Sequence, residues 1–432
     1  MNKNKIVAIL ALFAGVLTVV NAQDTIDNLK DAVSLAIENH PQVMKGKAER
    51  DSTIELRQEA KSGYLPTLEL RSAGGYENSQ TESIENEGDH YRSLGRNENS
   101  LSLRQMIWDG DETKSRVSRQ NALLKRADHS IRDNQESVAL RVSQSYLDVM
   151  KSNEKVIIAA ENVESHRVIL KTVEDRFKQK LGREADITQV KGRLALALAQ
   201  LKREEATSKA SIARFEEAVN KKPGKLKKAP SLIKQLPKKL SEAKEMAMIL
   251  HPALKAQTEG IEAQKAAVTE AESRFQPKLF LESTASENEN IGGNRGNEDH
   301  FTALLVLTYN IYRGGGDAAN LRGQKAALKQ QGAEYKELQL AIIRDLAVSW
   351  YNREGTIVEL EYFIQHEEAS KKTLEAYNAQ YKLGQRTLFD LLNARSELFR
   401  SKTTVVDTRY ANILGIHQIL ANIGILSKNL AK

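Results

Sequence analysis

"YKLGQRTLFDLLNARSEL", Tyr381 to Leu398, has a relative 204 residues upstream, "FKQKLGREADITQVKGRL", Phe177 to Leu194. Both begin on an aromatic residue, contain a glycine (Gly384, Gly182), reach an aspartate nine residues after the aromatic (Asp390, Asp186) and continue as a helix. Working outward, "LSLRQMIWDG" (Leu101–Gly110) falls on "LVLTYNIYRG" (Leu305–Gly314) at the same spacing. At a spacing of 211, "YLPTLEL" (Tyr64–Leu70) meets "FQPKLFL" (Phe275–Leu281), and His40-Pro41 meets His251-Pro252. The chain is therefore a tandem duplication. Its halves differ by seven residues in one Asn/Glu/Gly-rich stretch, near 74–99 in the first half and 286–299 in the second, read as loops.

Composition limits what such a repeat can build. With 5% aromatic residues, 28% charged residues and a mean hydropathy of −0.50, the 432-residue chain is polar and helix-rich, unlike a compact enzyme. "MNKNKIVAILALFAGVLTVVNA" sets Lys3 and Lys5 before an apolar run of 15 residues, Ile6 to Val20. That run is short of the roughly 20 residues a spanning helix needs, and it is read as a cleaved export signal over residues 1–22. Removing it lowers the formal charge from +7 to +5. The absence of cysteine excludes a disulfide framework and a lipidated cysteine. Beyond the signal no apolar run reaches 18 residues, so any membrane crossing falls to strands.

Each half repeats one order of elements, over 23–219 and 240–432, with a Pro/Lys-rich linker or equatorial segment at 220–239. A helical stretch breaks before Pro41 (or Pro252), because proline disfavours helix in the preceding residue and fits the first turn of the next. Alternation follows, predicting strands at about 64–72, 100–108, 276–285 and 300–312. Leu68 and Leu70 oppose Thr67 and Glu69. Leu101, Leu103 and Ile107 share a face, and Trp108 falls with the polar side as a filler between strand and helix. Proline-free runs from Glu112 to Lys178 and from Asp317 to Gln380 read as helical rods of about 90 Å. Four strands with one apolar face cannot sit in lipid with open edges, since unpaired backbone groups there cost several kcal/mol each. The sheet must close by adding copies.

At "AVSLAIENHPQV", "AKSGYLPTLEL", "LSLRQMIWDG", "VSQSYLDV" and the opening stretch, the sequence resembles the TolC-like outer-membrane efflux and secretion channels, over essentially the whole mature chain. The resemblance implies a mixed α/β membrane protein. Three copies share one transmembrane β-barrel of four strands each, continued by a long periplasmic α-helical tunnel that narrows at its inner end. It implies a homotrimer in the outer membrane of a Gram-negative bacterium, surrounded by lipid. Its partners are then a periplasmic membrane-fusion adaptor and an inner-membrane ABC transporter or proton-driven pump. In the family the second helix–turn–helix supplies a tyrosine and an arginine that bond an aspartate of the first, and an aspartate ring lines the constriction. The matching residues are Tyr381, Arg386, Asp186 and Asp390, with Arg386 to Asp186 as the closed-state link. A second aspartate of some members is replaced by Asn393, which implies a weaker cation filter. The quoted tip and the unlipidated start are nearer the type I secretion branch than drug efflux. Read without the family, Asp186 and Asp390 are also ordinary helix caps, and Arg386 an ordinary turn charge.

Catalysis has no foothold. The eight histidines show no metal-ligand spacing, and "GGNRG" and "GGG" lack the lysine of a phosphate loop, so no cofactor is expected. "KKPGKLKK" alone in an exported chain does not indicate nucleic acid. The competing class is a non-conducting periplasmic coiled-coil adaptor, with long helices and no barrel.

Overall fold

The computed structural model of the chain describes residues 25–88 and 90–431, so the expected signal at 1–22 lies outside the described residues. A short strand β1 (Thr25–Ile26) leads into helices α1 (Leu29–Asn39) and α2 (Pro41–Ser62). Strand β2 (Thr67–Ser79), the short helix α3 (Glu82–Asn86) and strand β3 (Arg92–Trp108) follow. Then come the long helices α4 (Glu112–Lys178) and α5 (Glu184–Val219), and strand β4 (Lys222–Pro223). The second half runs α6 (Leu240–Leu250), α7 (Pro252–Glu272), β5 (Lys278–Glu289), β6 (Asn297–Thr308), α8 (Gly316–Lys382), α9 (Leu388–Ile423) and α10 (Leu426–Leu430). Helices α4 and α8 are each 67 residues, matching rods of about 100 Å at 1.5 Å per residue.

The helix breaks have a local cause. His40 and His251 are the N-caps of α2 and α7, and the Nδ1 of each accepts the backbone N–H two residues on, from Gln42 and Ala253, both at 3.2 Å. A neutral imidazole at the cap and proline at the first helical position together start the second helix. The duplicated His-Pro is thus a duplicated cap.

The main sheet is antiparallel in the order β2-β3-β5-β6. The strands run further into the polar segments than alternation predicted. The ladder continues through Ser79 opposite Arg92, and through Glu289 opposite both Asn97 and Asn297. Cross-strand pairs carry the extension, including Arg96 to Glu77 at 2.6 Å and Ser72 Oγ to Asn99 Oδ1 at 2.6 Å. At the other end β6 stops at Thr308, leaving Tyr309 and Tyr312 exposed beyond the sheet rather than within it. Leu70 opposite Leu101, and Leu281 opposite Leu305, set the apolar face. The opposite face is mixed: Arg104 pairs with Glu282 at 3.3 Å and lies 4.0 Å from the centroid of the Phe280 ring.

Trp108 corrects one expectation. The register shifts between Met106 and Trp108, so Ile107 is the extra residue and Trp108 lies opposite Leu279, in line with Leu307. A bulge reverses the alternation beyond it. Trp108 therefore joins the apolar face, 43% exposed, and fills no core.

The segment expected to be a linker is also packed. Lys222–Pro223 pairs in parallel with Thr25–Ile26, and Leu232 is buried among Val138, Tyr146, Phe215 and Leu426. The Tyr146 hydroxyl donates to Asp27 O at 3.1 Å or Lys227 O at 2.5 Å, tying α4 to both chain segments. Glu136 of α4 caps the last helix, accepting from Leu426 N at 2.8 Å and Ser427 N at 3.2 Å. A second core joins α6, α7, α8 and α9 through Ala243, Leu254, Leu346 and Ile423. A third lies at the far end of the rods.

Candidate gate at the helical tips

That third core joins the two duplicated turns. Ile169, Val173, Val190, Leu374, Leu388, Leu391 and Leu392 bury against one another, with Tyr377 and Tyr381 packed at the edge. The hairpin α4–α5 is thereby held against α8–α9 within one chain. Each first helix ends in the same hydrogen-bond pattern: Leu181 N to Arg176 O at 2.9 Å with Lys180 N to Phe177 O at 2.9 Å, and Gln385 N to Gln380 O at 2.9 Å with Gly384 N to Tyr381 O at 3.0 Å. This closing pattern needs one left-handed residue. Gly384 supplies it at φ 73°, but in the first turn the equivalent residue is Lys180 at φ 62°, not Gly182. Gly182 has a different duty, since a Cβ there would lie 3.2 Å from Phe177 N.

The second helices start differently. Thr387 is the N-cap of α9: its Oγ1 accepts Asp390 N at 3.2 Å and donates to the Asp390 carboxylate at 2.8 Å. Asp390 is thus the third residue inside the helix, and its carboxylate accepts from the hydroxyl of the cap. Asp186 holds the same place in α5, whose N-cap Arg183 makes no side-chain cap bond. Neither aspartate is itself a cap. Both sit in the first helical turn, where the helix dipole favours a carboxylate.

The expected lock residues are placed as follows within one protomer. The Arg386 guanidinium is 3.9 Å from Asp390 Oδ2, its Nε donates to Gln380 Oε1 at 2.9 Å, and it lies 4.3 Å from the centroid of the Tyr377 ring. Arg386 is not paired with Asp186 in this arrangement. Asp186 is half-buried, with no ion-pair partner in its own chain among the described residues. Tyr381 instead receives Arg176, whose guanidinium is 5.2 Å from the ring centroid and donates to the Tyr381 carbonyl at 3.5 Å. Asn393 accepts from Arg193 of α5 at 3.0 Å.

Arg176, Gln380, Thr387 and Arg193 were not singled out in the sequence. Thr387-x-x-Asp390 is legible as a capping pair, but the cross-hairpin partners carry no signal of their own, because they depend on how α4, α5 and α9 pack. On α4, His166 is buried and stays neutral down to about 4, through burial and the nearby Arg395 and Arg193 charges.

The model of the outer membrane efflux protein family matches residues 32–220 and 245–413. The chain belongs to the outer membrane efflux protein family. It is similar to the outer membrane efflux protein BepC of Brucella suis, 23% identical with 96% of this chain and 89% of that protein covered. It is also similar to the proteases secretion protein PrtF of Dickeya chrysanthemi, 20% identical over 88% of this chain and 85% of that one. Among solved structures, the Campylobacter jejuni CmeC outer membrane channel superposes with a TM-score of 0.81 at 14% identity, covering 92% of this chain and 86% of CmeC. The resemblance read from the sequence holds. As a family member the chain is an outer-membrane efflux channel of tripartite export systems. The break in the family match, 221–244, spans the packed segment around β4.

Proposed function

We propose that three copies of this chain form the exit duct of a tripartite system, with a shared 12-stranded barrel in the outer membrane and a gated helical tunnel below it. The observation that carries this is the sheet β2-β3-β5-β6, whose first and last strands each have one open edge and whose apolar face exposes Leu70 at 76% and Phe301 at 74%. A sheet of that kind is costly in water and in lipid until copies join its edges. Helix α8 follows the edge strand β6 and carries Leu340, Val348, Tyr351, Val358 and Tyr362 on an exposed stripe, suited to a neighbouring copy's helix. Heat-modifiable trimers in the outer-membrane fraction, giving discrete conductance steps in planar bilayers, are expected. Recovery as a soluble monomer that does not enter bilayers overturns the reading and favours the adaptor class.

In the assembled tunnel, Arg386 and Tyr381 of one hairpin pair with Asp186 across the tips and hold it shut, and Asp390 forms a single carboxylate ring. The unpartnered Asp186 supports this, as does the weak self-pairing of Arg386 at 3.9 Å, long enough to exchange. The cargo is an exported polypeptide delivered by an ABC transporter through a membrane-fusion adaptor. The tip sequence and the likeness to PrtF support secretion, while the likeness to BepC supports small-molecule efflux as the second reading. Deleting the gene separates them: secretion predicts loss of a polypeptide from the medium, efflux predicts sensitisation to toxic compounds with the medium unchanged.

A further inference from the structure

A few turns above the tips, α4, α5 and α9 surround a cleft of about 40 Å³ whose walls include Asn162, His166, Arg193, Gln200, Phe399 and Arg400. The spacing brings them together: Asn162 and His166 are one turn apart on α4, and Arg193 and Gln200 are two turns apart on one face of α5. Two of these side chains are more than nine-tenths buried and lack a partner: Asn162 at 8% exposed leaves Oδ1 unbonded, and His166 at 3% leaves Nδ1 unbonded. Unbonded buried polar atoms are uncommon and mark a place for a ligand or water. The cations also lack carboxylates. Among the described residues Arg193 donates only to the Asn393 amide, and Arg400 has no ion-pair partner. Arg395, immediately alongside, is half-buried, donates to Ser165 Oγ at 2.7 Å and leaves its Nε unbonded. Two neighbouring carboxylates are engaged elsewhere, Glu397 with His366 at 3.0 Å and Glu161 with Lys402 at 3.0 Å.

We infer that this cleft is a carboxylate-binding station on the tunnel wall, in which Arg193 and Arg400 clasp one acidic side chain of a polypeptide. Its volume suits one carboxyl group or a water or two, not a drug-sized molecule. Guanidinium forks match a carboxylate in two parallel N–H···O bonds. The neutrality of His166 is consistent with a site that is already cationic when empty. The acidic side chain comes either from cargo in the lumen or from a partner helix on the outer wall. The station does not depend on the secretion reading.

Fluorescein-labelled tetraglutamate, titrated by anisotropy against the detergent-purified full chain at low ionic strength, tests it. Binding is expected, with affinity falling about tenfold in Arg193→Gln or Arg400→Gln and only partly restored in Arg193→Lys, which keeps the charge but loses the fork. Unchanged affinity in correctly assembled Arg193→Gln, or equal binding of labelled tetraserine, overturns the inference. Planar-bilayer recordings then distinguish the source: tetraglutamate that interrupts the current comes from the lumen, and binding without interruption places it on the outer wall. Binding by a protein that forms no channel keeps the station and removes the exit-duct reading.

Discussion

Gly384 and Lys180 occupy the same left-handed turn position 204 residues apart, yet only one of them suits it. A side chain at positive φ is disfavoured by roughly 1 kcal/mol, so Lys180→Gly is expected to raise the melting temperature slightly and Gly384→Ala to lower it. The opposite signs in paired thermal melts check this. Glycine alone did not reveal the position in the first turn, because the visible glycine there, Gly182, is two residues away. At the gate, Arg386→Ser is expected to raise single-channel conductance, since it removes the cation of the tip link; unchanged conductance counts against the link. Asp390→Asn is expected to weaken any block by trivalent cations, as the proposed ring then holds no carboxylate. Those two roles are proposals that rest on the family pattern alone, and within one chain Arg386 turns to Asp390 instead.

Among the elements, buried groups on α4 and α9 and at the start of α7 carry the pH behaviour, and contacts to the segment between the halves add stability. Burial holds His166, His251 and His417 neutral, each lowered to about 4 against 6.5 in the unfolded chain. A group with a depressed basic pKa contributes stability that is present above 6.5 and is lost as pH falls towards 4. Protonation at His251 would also remove the acceptor that starts α7. Glu136 acts in the other sense: burial raises it to about 7, so its contribution is complete below the unfolded value of 4.5 and is lost as pH rises through 7. Three groups oppose one, and denaturant midpoints are expected to fall between pH 7 and pH 5, with a shallower fall in His417→Gln. Tyr146→Phe is expected to cost about 1–2 kcal/mol, because the acceptors of Asp27 and Lys227 lose their donor. Equal stability in urea melts would show that β1 and β4 dock without it. The rods and the His-Pro breaks were readable from periodicity and proline, whereas the packing of 220–239 was not, since prolines and lysines look like linker wherever they lie.

For the whole molecule, the exposed apolar face of β6 makes a sharp prediction. Leu305→Arg places a charge where the proposed barrel meets lipid, at a cost of about 2–4 kcal/mol per chain, and three chains share it. Loss of heat-modifiable trimers from the outer-membrane fraction, with monomer helicity retained by circular dichroism, is the expected result. Retention of trimers would mean that the face is turned inward. The four strands were found by alternation, but their ends were not. Cross-strand pairs such as Arg96 with Glu77 extend the ladder into segments whose composition reads as loop.

What the sequence determined by itself is the duplication, the order of elements, the length of the rods and the apolar side of the sheet, because each follows from spacing along one strand or helix. The tertiary structure decided the rest. It set the side taken by Trp108, through a bulge that depends on the neighbouring strand. It identified the left-handed residue of the first turn, which depends on closing two helices. It also gathered Arg193 and the unbonded Asn162 Oδ1 and His166 Nδ1 into one cleft, which depends on three helices meeting.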